Sequence, residues 1–269
     1  MNHLLRERAP ITEEGWAELD QSARERLEPG LAARKVVDFS GPHGWDYSAT
    51  NLGRIEPLPD GGDGLTASRR RVLPLVEMRV EFALSRSELD DLERGAEDID
   101  LEPLEVAARR MARAENRAVF HGWASAGFEG IAESCTHDPV TLSDDFNAYT
   151  GQVAAAVETL LRNGIKGPYA LALAPEQYTG VVQGTEHGGY PLFDHLRKIL
   201  QGGPIVWAPG ISGAVVVSLR GGDFLFESGQ DLALGYSHHD AQSVYLYLEE
   251  SFSFRVATPE AACALTPPK

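Results

Sequence analysis

The stretch from Trp45 to Phe82 constrains this chain more than any other. It reads as two extended arms on either side of a GGDG turn at residues 61 to 64. That pattern predicts a long hairpin, and a two-stranded hairpin buries too little apolar surface to be stable alone. It must dock on the rest of the chain or on a second copy. The remainder can build a core: 43% of the 269 residues are hydrophobic, enough for one large domain or two modest ones.

Helix signals flank the hairpin. Thr12 is placed to cap a first helix, with Glu13 and Glu14 in its first turn and Ile11 and Trp16 in the two positions of a hydrophobic staple. Trp16, Leu19, Ala23 and Leu27 follow at helical spacing until Pro29 and Gly30 stop the run. A short strand is predicted around Val36 to Phe39, ahead of the turn GPHGWDY. Ser87 is placed to cap a short helix closed by Gly95, and after Pro103 the run LEVAARRMARAENRAVFHGW puts Leu104, Ala107, Met111, Ala114 and Ala118 on one face of a long spine helix. Residues 137 to 222 predict a separate α/β lobe. Its elements are a helix from Ser143 to Gly164, a strand from Tyr169 to Leu173, a helix from Phe193 to Leu200, and strands at Ile205 to Trp207 and Ala214 to Leu219. From there to Val256 the chain is strand-rich, and the tail TPPK is expected to be loose.

Charge narrows the partners. A net charge of −16 argues against nucleic acid as the main one, since phosphate binding needs a basic face. Arg69, Arg70 and Arg71 are the local exception, and a period of two splits them between the faces of a strand, pointing to contact with an acidic protein neighbour. Basic residues are four lysines against twenty arginines, a bias that suits charge pairing across buried contacts and hence an assembling protein. Cys135 and Cys263 lie far apart with no CxxC spacing, and no signal peptide or membrane span is legible. A soluble protein of a reducing cytoplasm is expected, without membrane contact.

The search for chemistry yields no catalytic residues, no metal site and no cofactor. RGGDFLFESGQDLALGY, residues 220 to 236, is glycine-rich, yet the chain has neither GxxxxGK[ST] nor GxGxxG, so Gly221, Gly222 and Gly229 read as strand reversals. There is no GxSxG elbow and no HExxH helix. His238, His239 and Asp240 read as a solvated turn, Glu249 and Glu250 as carboxylates on opposite faces of a strand, and His121 as a buried, hydrogen-bonded histidine.

Several segments resemble the encapsulin shell proteins, a family once grouped with linocin-type bacteriocins. They are LLRERAPITEEGWAELD, ARKVVDFSGPHGWDYSATNLG, LPLVEMRVEFALSRSELDDLERG, GIKGPYALAL, HGGYPL, RGGDF, GQDLALGY and ESFSFRV, and in this order they cover nearly the whole chain. The resemblance implies an α+β chain with the major capsid protein fold of tailed phages. Residues 1–45, 83–136 and 223–269 would form a peripheral domain, 46–82 an extended hairpin and 137–222 an axial domain. It further implies self-assembly into an icosahedral shell around cargo enzymes, ferritin-like proteins or dye-decolourising peroxidases, that carry a C-terminal targeting peptide. By position, Arg34, Val36, Asp38, Asp231 and Leu232 would receive that peptide, the first three as one row along a strand. Gly184, Thr185, Glu186, His187, Gly188 and Gly189 would approach a five-fold pore. Flavin binding, sometimes associated with the family, would want an aromatic near Ser87, where this chain has serine, so no cofactor is expected. Other readings are a bacteriocin-like protease of the linocin type and a virus-derived capsid that packages a genome.

Overall fold

The computed structural model describes residues 3–59, 63–186 and 188–268. The first helix, α1 (Glu13–Leu27), is capped as its sequence dictates: the Thr12 hydroxyl accepts the Gly15 N–H at 3.1 Å, and Trp16, Leu19, Ala23 and Leu27 are buried. Strand β1 (Asp38–Ser40) follows, and then β2 (Ala49–Leu58) pairs antiparallel with β3 (Ala67–Pro74) to form the ribbon. Of its GGDG turn, Gly61 and Gly62 lie outside the described residues. The ribbon ends at Pro74, short of the expected Phe82. Strand β4 (Val76–Ser85) leaves it to pair along most of a later strand, because Met78, Phe82 and Leu84 are apolar enough to enter the core.

Helix α2 (Arg86–Glu93) begins one residue before the predicted cap. Ser85 precedes it without a capping bond, and its hydroxyl lies 2.7 Å from that of Ser87. The spine helix α3 (Glu102–His121) buries Leu104, Ala107, Met111 and Ala118, as their spacing requires. It stops at Gly122, whose φ of 75° is a conformation side chains disfavour, and where a Cβ would lie 2.7 Å from the Gly130 nitrogen. A short α4 (Ile131–Ser134) and β5 (Val140–Thr141) lead into the second lobe. Its elements are α5 (Tyr149–Arg162), β6 (Tyr169–Leu173), α6 (Pro175–Gln183), α7 (Leu192–Ile199), β7 (Ile205–Trp207) and β8 (Ala214–Ser218). Helix α5 starts six residues later than Ser143, and α6 was not foreseen.

Strands β9 (Phe224–Ser228), β10 (Ala233–His239) and β11 (Ser243–Val256) complete the first sheet. The 14-residue β11 is its axis, with β4 on one side, β10 and then β9 on the other, and β1 parallel to β9 beyond. The second sheet runs β5-β12-β8-β6-β7, where β12 (Ala262–Thr266) pairs antiparallel with β8. The chain thus crosses into the second lobe near its end, and Thr266, the first residue of the tail expected to be loose, closes β12. A contiguous apolar core joins both lobes.

Asn116, buried in the middle of α3, ties this architecture together. Its Oδ1 accepts the Ala33 N–H at 3.0 Å, and its amide donates to Gly30 O at 2.7 Å and Pro209 O at 2.9 Å. Asn116→Ala leaves the Ala33 N–H and Pro209 O without partners and Gly30 O with the Ala32 N–H alone, which should cost about 2–3 kcal/mol. A urea unfolding midpoint equal to wild type would contradict that role.

Candidate functional site

A groove of about 640 Å³ runs between the N-terminal segment, the second half of α1 and strand β10. The segment is held along β10 by two bonds: Tyr236 N–H donates to Leu4 O at 2.9 Å and Arg6 Nε donates to Leu234 O at 2.8 Å. Arg6 also donates to both Asp20 oxygens and stacks over Trp16, 4.5 Å from the ring centre, fixing the segment against α1. Leu4, Ala23, Leu27, Leu31, Leu232, Leu234 and Leu248 supply an apolar floor, and Asp20, Arg24, Glu28, Arg34, Lys35 and Asp231 a charged rim. Such a floor and rim suit a short extended peptide with apolar side chains.

Arg34 closes one end of the groove. Its Nε donates to Glu115 at 2.6 Å, Nη1 to Asp231 at 2.7 Å and Nη2 to Glu250 at 2.8 Å, while its plane lies 5.1 Å from the Phe39 ring and 5.5 Å from the Phe226 ring. Glu115 and Glu250 are 0% and 1% exposed, and Asp231 sits at the rim. Burial alone would lower the Arg34 pKa, but the three carboxylates outweigh it and push the pKa up. Glu115 and Glu250 face each other, and each keeps one oxygen, Oε1, buried and without a hydrogen-bond partner among the described residues. A proton held between them would give both a partner. Burial first, and the facing Glu115 second, hold the Glu250 carboxyl well above the usual carboxylate range, and burial also raises Glu115.

The structure gathers some of the predicted residues and separates others. Arg34, Asp231 and Leu232 meet at the groove. Val36, at 3% exposure, is in the core, and the Asp38 carboxylate accepts the Gly222 N–H at 2.7 Å, helping to hold the Gly221–Gly222 turn. The expected row 34, 36, 38 does not exist, because residues 33–35 form a 3-10 turn and the strand begins only at Asp38. Asn116 imposes that turn by taking the Ala33 N–H. The floor adds Leu4 and two residues of α1, the N-terminal helix whose inner face the family resemblance also implicates, and the helical spacing of Ala23 and Leu27 marks that face.

On the second lobe, residues 184–191 form a loop closed by a bridge between Thr185 and Pro191. Glu186 N–H donates to Tyr190 O and Gly189 N–H to Glu186 O, both at 2.9 Å, while Gly188 and Gly189 take positive φ. Leu192 N–H donates to Gly184 O, and the Glu186 carboxylate lies 2.7 Å from His195 Nδ1. His187 lies outside the described residues.

The other candidates have structural partners. His121 Nε2 accepts the Ser212 N–H at 3.0 Å, which leaves the proton on Nδ1 to donate to Glu133 at 2.9 Å. Asp240 accepts the Gln242 and Ser243 N–H groups, and these bonds lower its pKa. Glu249, on the opposite face of β11 from Glu250, pairs with Arg79 at 2.6 Å and lies 2.9 Å from His3. Gly229 is a reversal pressed against Leu75 and Ser251, where a Cβ would not fit. Among the described residues no helix is long and apolar enough to cross a membrane.

Two sheets, a spine helix and a protruding ribbon define the major capsid protein fold of tailed phages. The virus-like particle protein of Pyrococcus furiosus superposes with a TM-score of 0.66 at 17% identity, covering 93% of this chain and 98% of that one. The structure from Mycobacterium phage Bobi gives 0.56 at 14% identity, covering 89% and 91%. Sequence narrows the class further. Residues 1–253 match the family model described as "encapsulating protein for peroxidase". The type 1 encapsulin shell protein of Rhodospirillum rubrum is 46% identical over 98% of this chain and 96% of its own length. The chain belongs to the encapsulin family.

The buried carboxyl pair gives this site a pH signature. In the unfolded chain Glu250 and Glu115 ionise in the ordinary carboxylate range, while the folded chain keeps the Glu250 proton well above it. Between those limits the folded state binds more protons, so stability present at lower pH is lost as pH rises through the folded value. Unfolding midpoints should fall as pH rises above the ordinary carboxylate range, and Glu250→Gln, which supplies a fixed N–H in place of the proton, should flatten that fall. Parallel slopes for the two proteins would put the proton elsewhere.

Proposed function

We propose that this chain is a shell protein, copies of which close into an icosahedral compartment inside the cell around cargo enzymes, a ferritin-like protein or a dye-decolourising peroxidase. Its role is to build and to hold rather than to catalyse. The observation that carries this reading is a capsid fold with an unsupported ribbon, found in a chain whose relatives are named encapsulin shell proteins. In this reading the first sheet with α1 and α3 is the peripheral domain, the lobe of residues 137–222 together with β12 is the axial domain, and residues 46–74 are the extended hairpin. The loop from Gly184 to Gly189 would approach a five-fold axis, where the repeated Glu186 carboxylates would bias passage toward cations.

The groove beside α1 is where a C-terminal targeting peptide of the cargo would lie, its apolar side chains on the leucine floor and its polar groups against Arg34, Asp231 and Arg24. Weak docking is enough. Many identical grooves face one enclosed volume, and the effective concentration there retains a tethered enzyme that each groove alone would release.

Co-expression with a cargo enzyme that carries a C-terminal targeting peptide tests the reading. Leu232 belongs to the floor without being fully buried, so Leu232→Asp should leave particles intact. Loss of one apolar contact of about 1.5–3 kcal/mol should lower the cargo-to-shell ratio on a denaturing gel by about tenfold. An unchanged ratio would move the docking site away from this groove.

A further inference from the structure

The ribbon has two chemically different faces. Opposite residues on paired strands share a face, and the register sets Arg54 against Arg71 and Glu56 against Arg69 on one of them. The other face carries Ile55, Arg70 and Val72, with Ile55 and Val72 at 67% and 48% exposure. One face therefore holds three arginines and a single acid, with two of the arginines directly opposed. Like charges opposed across a strand pair disfavour the ribbon they belong to. None of these arginines has an ion-pair partner among the described residues. The arrangement makes sense only with negative charge brought to it from outside.

The same chain presents the complement. From Ser87 to Glu102, along α2 and the loop after it, eight acidic residues stand against one arginine. Asp91 pairs with Arg94 and Glu102 with Arg109, and Glu88 accepts the Asp100 N–H, which leaves Asp90, Glu93, Glu97 and Asp98 exposed and without an ion pair among the described residues. Within one copy the ribbon arginines and these acids make no ion pair. A head-to-tail contact, in which different surfaces of identical chains meet, repeats around a closed shell.

We propose that the basic face of the ribbon docks on the acidic segment 87–102 of a neighbouring copy. The proposal rests on the shell reading and adds the partner surface and the force that sets its register. Charge complementarity here chooses the correct neighbour and orientation. The net charge of −16 disfavours nucleic acid as the occupant.

The test is a charge exchange in the full chain, with particles counted by size exclusion and negative-stain microscopy. Arg54→Glu with Arg69→Glu and Arg71→Glu should lower particle yield at least about tenfold, as should Glu93→Lys with Glu97→Lys and Asp98→Lys, and combining both sets should restore it. Replacing the three arginines by lysine should leave particles, and the circular dichroism of the unassembled chain reports whether each variant is folded. Wild-type yield from either reversed set would overturn the proposal, as would a loss that the combination does not repair. So would nucleic acid in wild-type particles that disappears when the arginines are reversed. A wild-type chain that forms no particles is a separate result, and it would refute the shell reading itself.

Discussion

Arg34 is the point on which separate parts of the chain converge. Its guanidinium joins the 3-10 turn after α1 to Glu115 on the spine helix, Glu250 on the long strand β11 and Asp231 in the bend between β9 and β10. Its partners lie 81, 197 and 216 residues away in sequence, so the contact exists only when the whole first sheet has closed on α3. A planar fork with donors on three edges can serve three carboxylates while its face rests on Phe39 and Phe226, which a lysine cannot do. Removing one member of a buried ion network costs about 3–5 kcal/mol, because the remaining charges stay buried without compensation.

The groove follows from this junction. The bend that brings Asp231 to Arg34 also turns Leu232 toward the floor, and β10, starting just after it, offers the edge along which Leu4 and Arg6 are bonded. Structural and binding roles therefore share residues at one end of the groove and separate at the other. A charge change at Arg34 perturbs both, whereas a change at Leu232 perturbs the floor alone. The second lobe joins the first through the apolar core and through Asn116, whose amide reaches Pro209.

Local signals in the sequence resolve into local structure. The cap at Thr12, the face of the spine helix and the apolar run Tyr169–Leu173 each carry their own instruction, and each forms as read. What fails is decided by distant partners. ARKVVDF has the composition of a strand, but Asn116 takes the Ala33 N–H and converts its first residues into a turn. Helix α6 hides behind Gly180, which a Phe146 ring packs against so closely that no side chain would fit. Strand β12 is short and built of small residues, and only the exposed-edge demand of β8 reveals it. The family resemblance pointed to the groove by position. Which of the five named residues line it depends on the route of the backbone, and that route is set by contacts between residues far apart in the chain.

A chain whose ribbon cannot be stable alone and whose exposed charges fall into opposed blocks is built to meet copies of itself. The most direct measurement is the native mass of the purified protein, by mass photometry with electron microscopy of the same sample. The account predicts one narrow species far above the 29.2 kDa of a single chain, seen as closed particles of uniform diameter. A stable monomer or small oligomer at working concentration would contradict it.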